Sequence, residues 1–158
     1  MDSIVERIMK QLQTTIEGIT VANGYANTIH SVQRLQADGQ PPIQGNGVLV
    51  IDGDDVVVGT TLAGAYSLTE RRRHVDLVIV AQQDLDTDSR SAAELMNSLE
   101  ADVRKAVNAD WTRGGLALDT EETQAGEIDV QVGMPELRRV LGYDIRFRHR
   151  RTDPTIVV

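Results

Sequence analysis

Asp84, Asp86 and Asp88, in DLDTDS, fall at the first three ligand positions of a calcium-binding loop. The match ends there. Position six is Ser89, where the sharp turn requires glycine, and position twelve is Leu95, which has no oxygen to offer an ion. Carboxylates just ahead of a helix are favoured by the helix dipole without any metal. VVVGTTLAGAY places Gly59 and Gly64 at the spacing of a phosphate-binding loop, but Ala65 and Tyr66 stand where a lysine and a hydroxyl residue would hold phosphate and magnesium. His30, His74 and His149 never recur at i, i+3 or i+4, so no helix carries a histidine pair for a metal. No G-x-S-x-G elbow supports a Ser-His-Asp triad. Cysteine is absent, which excludes disulfides, thiolate catalysis and Cys-ligated metals. The expectation is a protein that is not an enzyme and uses no metal or cofactor.

What remains is electrostatic. The formal net charge is −8, yet Arg138, Arg139, Arg146, Arg148, Arg150 and Arg151 gather near the C-terminus. Residues 138–158 hold six basic and two acidic residues, net +4, which leaves ten basic against twenty-two acidic in residues 1–137, net −12. Such segregation suits a subunit whose basic patch meets an acidic face on a copy of itself or on a partner. ERRRH, residues 70–74, raises nucleic-acid binding. The aromatic residues do not interleave with arginine as stacking platforms would, and the net charge opposes phosphate, so direct binding as the primary task is not expected.

The elements that must position these charges follow from periodicity. Ile4, Val5, Ile8, Met9, Leu12 and Ile16 repeat at helical spacing, and Gly18 ends the run. Residues 25–36 are β-prone. ADGQPPIQGNG, residues 37–47, reads as a loop because Pro41 and Pro42 exclude helix and sheet interior. VLVI and VVV flank DGDD, where Asp52-Gly53 or Gly53-Asp54 suits a tight hairpin. Val75, Leu77, Val78, Ile79 and Val80 are apolar on both faces, the pattern of a central strand covered on both sides. Ala92, Leu95, Met96, Leu99, Val103 and Val107 form the stripe of a second helix over residues 91–108, and Ser91 with Glu94 matches a capping box. Residues 112–127 read as a long flexible loop that orders on assembly, with a short strand possible at 116–118. IDVQV and YDIRFRHR are the last two strands.

In that final strand Tyr143, Ile145, Phe147 and His149 share one face, while Asp144, Arg146, Arg148 and Arg150 share the other. The first set faces the core and the second faces outward. An outward arginine row pairs with carboxylates in a bidentate manner, and it also keeps an exposed strand from pairing at random. The order of helix, strands, helix, strands, without regular βαβ alternation, predicts a single α+β domain over 1–158. Its sheet is mainly antiparallel, with two principal helices on one face. The N-terminus lacks a basic start and an unbroken apolar run, so it does not read as a signal peptide, and no stretch approaches the roughly 20 apolar residues of a membrane span. The chain reads as soluble.

Taken together, the N-terminal helix, the strand VDLVIVAQQ leading into SRSAAELMNSLEADVRKAV, and the ending YDIRFRHRRTDP resemble the tail terminator, or tail completion, proteins of tailed bacteriophages. The resemblance covers most of the chain, and the Tyr-x-Ile-x-Phe ending followed by basic residues and Asp-Pro carries most of it. It implies a virion protein of the neck, assembled in the host cytoplasm. Such a subunit forms a homohexameric ring on the last ring of the tail tube, stops tube polymerisation and meets the head connector protein, while DNA passes through the lumen without specific binding. Arg146, Arg148, Arg150 and Arg151 are then the candidate interface to a neighbouring subunit or to the tube protein. A head completion or connector-joining protein shares these features, and a monomeric enzyme or ligand-binding domain is the alternative of a different class.

Overall fold

The structure is a computed structural model and describes residues 1–34, 43, 45–61, 67–82, 89–126, 129–130 and 136–158. Two helices, α1 (Ile4–Glu17) and α2 (Ala92–Ala109), pack on a sheet of strands β1 (Ser31–Arg34), β2 (Gly47–Thr61), β3 (Leu68–Gln82), β4 (Asp119–Ala125), β5 (Asp129–Val130), β6 (Glu136–Arg150) and β7 (Asp153–Val157). The path through the sheet is β1-β2-β3-β6-β4, with β5 and β7 also pairing to β6. Among the described residues only β1 against β2 is parallel. The α+β expectation with a mainly antiparallel sheet therefore holds.

Both helices start as their sequences dictate. Ser3 Oγ accepts from the Glu6 amide at the head of α1, and Ser91 and Glu94 form the full reciprocal capping box at the head of α2. Ile4, Ile8, Leu12 and Ile16 on α1, and Leu95, Leu99 and Val103 on α2, meet Val48, Val50, Val75, Leu77, Ile79, Leu141, Tyr143 and Ile145 from the sheet in one core. Each fully buried aliphatic side chain there contributes about 1.5–3 kcal/mol.

Several expectations are corrected. DGDD is not a hairpin: β2 runs through it without reversing, and the register against β3 slips between Asp52 and Asp55. Gly53 supplies room there, not a positive φ, because a Cβ on it would come within 3.0 Å of the His74 backbone oxygen. Strands β2 and β3 pair antiparallel beyond it; Gly64, Ala65 and Tyr66 of the rejected phosphate loop lie outside the described residues, as do Asp84, Asp86 and Asp88. Strand β3 is central by pairing, but its cover is uneven: Val75, Leu77, Ile79 and Ala81 are sealed under the helices, whereas on the other face Val80 is fully buried and Asp76 and Val78 are only half-buried. Of the described residues in 25–36, those from 31 to 34 form a strand, preceded by a 3-10 turn over 21–23. Residues 37–42 and 44 of the first expected loop, and most of IDVQV, lie outside the described residues.

Of the second expected loop, 112–127, residues 112–126 take a defined path within the single chain. Asp110 accepts from the Thr112 amide (3.2 Å), the Thr112 hydroxyl (2.8 Å) and the Gly114 amide (2.6 Å), and the chain then enters β4, which pairs with β6 from Asp119 opposite Arg146 onward. Residues 116–118 are not a strand; they lead into one. Arg113, at φ 52°, turns its fully buried side chain inward and donates to the Val107 carbonyl in the last turn of α2. That cap costs a left-handed backbone at a non-glycine residue, roughly 1 kcal/mol or more.

Tyr143 lies in the same region. Its hydroxyl is buried and bonds to no protein group. Burial, reinforced by the charge of Glu122, pushes its phenol up to about 12 from 10.0. The unfolded phenol therefore loses its proton first as pH rises, and stability falls above about pH 10. Tyr143→Phe is expected to be neutral or up to about 1 kcal/mol more stable at pH 7. Urea midpoints at pH 9, 10.5 and 11.5 check this: the gap in favour of the variant should widen with pH.

Candidate assembly interface

The helices cover one face of the sheet and leave the other to charged side chains. On β6 the predicted division of faces is observed: Tyr143, Ile145 and Phe147 are at most 1% exposed and His149 is 8% exposed, while Arg146 and Arg148 point away from the core with nearly half of each side chain in solvent. His149 Nδ1 lies 2.7 Å from the Arg150 carbonyl.

The arginine row is not a bare positive stripe. Antiparallel register sets Arg72 opposite Arg146, Glu70 opposite Arg148, and His74 opposite Asp144. Glu70 accepts from Arg148 at 2.9 Å, and Asp119 of β4 accepts from Arg146 at 3.4 Å. Exposed pairs of this kind contribute at most about 1 kcal/mol each. Each uses only part of a guanidinium that has five donors, so both arginines keep donors directed at solvent. A depression of about 320 Å³ beside them is lined by Val58, Arg72, Glu121, Asp144 and Arg146. Arg151 is exposed at the turn into β7, its amide donating to the Ser67 carbonyl at 2.9 Å, and its side chain lines a separate depression with Arg71 and Val57. Arg150, at the end of β6, shares a face with Arg146 and Arg148 and is paired to Asp153 across the turn. Three of the four expected interface arginines thus share one sheet face, and Arg151 lies round the corner. Arg138 and Arg139, which the charge count grouped with them, are engaged elsewhere: Arg138 with Glu136 at 2.6 Å, and Arg139 with Glu100 of α2.

The acidic DGDD and the basic ERRRH prove to be two halves of one network. Glu6 of α1 accepts twice from Arg34 of β1 at 2.8 Å, Arg34 donates to Asp52 of β2 at 2.6 Å, and Asp52 accepts from Arg73 of β3 at 3.1 Å. Asp55 then meets Arg73 at 3.8 Å and Arg71 at 2.7 Å. Burial raises the Asp52 carboxyl, but hydrogen bonds and charge from Arg34, then Arg73, outweigh it and hold the group below its ordinary range. The same contacts raise Arg34. This chain of alternating charge ties α1 to three strands. A signal for it was present in the sequence: the opposite charges of DGDD and ERRRH come into register once β2 and β3 pair antiparallel.

Beyond Val50, β2 has no strand partner on its outer edge among the described residues. There Val56, Val57 and Val58 are 46%, 50% and 52% exposed. Among the described residues no group of three His, Asp or Glu is arranged to hold a metal ion, and no helix is long and apolar enough to cross a membrane.

The fold and this face define an α+β domain whose helix-free surface carries interleaved charge beside a strand edge that is open among the described residues. No family model matches the chain, and no curated protein matches it. One solved structure aligns with 88% of this chain and 96% of its own at 16% identity and a TM-score of 0.41, a likeness too distant to speak for fold or function.

Proposed function

We propose that this chain is a structural subunit that assembles with copies of itself into a ring, of the kind that caps the tail tube of a tailed bacteriophage and meets the head connector. The observation that carries this reading is the division of β6 into a sealed apolar face and an arginine face with donors to spare, on a subunit that is otherwise acidic. The edge of β2, unpaired beyond Val50 among the described residues and carrying three exposed valines, supports it as a second surface that association would cover. No chemistry is required of such a subunit. Its specificity comes from matching charge, so assembly should weaken as salt screens contacts beyond about 8–10 Å.

Light scattering of the purified chain across a salt series is the test. A hexameric species, at six times the 17.4 kDa monomer mass, is expected at low salt and a smaller one at high salt. The double variant Arg146→Glu, Arg148→Glu should weaken ring formation, or recruitment to purified tail tubes, by at least about tenfold while leaving the far-UV spectrum unchanged. A monomer at every salt concentration that also fails to bind tubes would remove the reading, and a variant that assembles normally would remove these arginines from the interface.

A further inference from the structure

The charged sheet face contains one group whose surroundings suit only one of its protonation states. His74 of β3 has Nδ1 at 2.7 Å from Asp144 Oδ1 on β6 and Nε2 at 3.1 Å from Asp76 Oδ1 on its own strand. An imidazolium donates from both nitrogens; a neutral imidazole donates from one and turns a lone pair toward the other carboxylate. Two glycines make the position possible. A Cβ on Gly53 of β2 would lie 3.0 Å from His74 Cδ2, and one on Gly142 of β6 would lie 3.1 Å from Cε1, so the ring lies in a gap that any larger residue on either neighbouring strand would crowd.

We propose that His74 is a proton-operated clamp between β3 and β6, tight when both ring nitrogens donate and loosened when the neutral ring donates from only one. Charges come from each element around it. Arg72, on β3, approaches the second oxygen of Asp144 at 3.5 Å, Asp54 of β2 borders the same depression as the uncharged Thr123 and Gln124 of β4, and Glu121 of β4 stands opposite Asp144. Loss of the proton leaves Asp76, Asp144 and Asp54 around a neutral ring, with Arg72 the cation next to Asp144. The clamp adjoins the depression that Arg72 and Arg146 share, so its state sets the geometry of the arginine face. It does not depend on whether that face builds rings.

Hydrogen bonding to Asp144, followed by Asp76 and the charges of both, raises His74 above its ordinary value of 6.5 against the opposing effect of burial. The clamp's contribution is thus complete below about pH 6.5 and disappears as pH rises through the folded-state value. Following the imidazole resonances of the wild-type chain by NMR from pH 5 to 9 tests it directly. His74 is expected to titrate above 6.5, with amides of residues 143–145 shifting and losing exchange protection at the same midpoint. Asp76→Asn, which keeps the fold's packing, should move that midpoint down. His74→Gln should abolish the step in stability between pH 6 and 8.5. A His74 midpoint at or below 6.5, or an unaltered midpoint in Asp76→Asn, overturns the clamp even if His74→Gln does not fold.

Discussion

Replacing Asp102 by alanine is expected to lower stability by about 3 kcal/mol, more than any exposed ion pair in the chain contributes. Asp102 sits on α2 and is only 6% exposed. One carboxylate oxygen accepts from the Ala26 amide at 3.1 Å; the other accepts from the Asn27 amide at 2.9 Å and the Asn27 side chain at 2.8 Å. Asn27, itself 4% exposed, also donates to Ser98 at 2.8 Å and accepts from Arg90 at 2.9 Å. Alanine would leave the Ala26 and Asn27 amides without a partner, each costing about 1–3 kcal/mol before water enters to relieve part of the loss, and would take one of its two acceptors from the Asn27 side-chain amide. Urea unfolding measures the change. Hydrogen exchange at Ala26 and Asn27 should accelerate by more than at Leu99 or Val103, because the segment that leads from the 3-10 turn into β1 comes loose before α2 does. A loss below about 1 kcal/mol, or uniform acceleration, would mean that the carboxylate does not pin that segment.

Nothing in the sequence around Asp102 marks it for this role. It lies in a helix whose apolar stripe is plain, and a lone aspartate there reads as a solvent-facing residue, since its partners are 75 and 76 residues earlier. The same limit explains the other corrections. Local signals were sufficient for α1, for the capping box of α2 and for the alternation of β6, because each depends on neighbours within a few residues. Gly53 looked like a turn residue because glycine between aspartates is favoured there locally. Its reason is instead His74, 21 positions away. Strand β4, with three acidic residues among its seven, has poor β-propensity and was hidden for that reason. It forms because β6 offers an edge, because Arg104 of α2 holds Glu122 at 2.7 Å, and because Asp110 turns the chain toward it. The candidate interface was legible as a face and illegible as a charge: alternation showed where the arginines point, while the residues beside them came from strands whose register no local pattern fixed.

That division of β6 yields a crossed prediction. Phe147→Ala is expected to cost about 3–4 kcal/mol, because the ring is 1% exposed, belongs to the core and leaves a cavity that the pairing of Phe147 with Arg71 of β3 keeps from collapsing. Arg148→Glu, one residue further, is expected to cost less than about 1 kcal/mol, since it loses one pair with Glu70 in which the arginine is 45% exposed. Assembly should invert the order. At a temperature where Phe147→Ala remains folded, its outward face is intact and it should associate like the wild-type chain, whereas Arg148→Glu should associate less well at low salt and differ less at high salt. Thermal unfolding and light scattering on the same samples separate the two effects. If both variants lost stability and association in parallel, association would depend on folding alone and the outward arginines would have no part of their own in it. If Arg148→Glu lost neither, the row would serve only to keep an exposed strand face in solution.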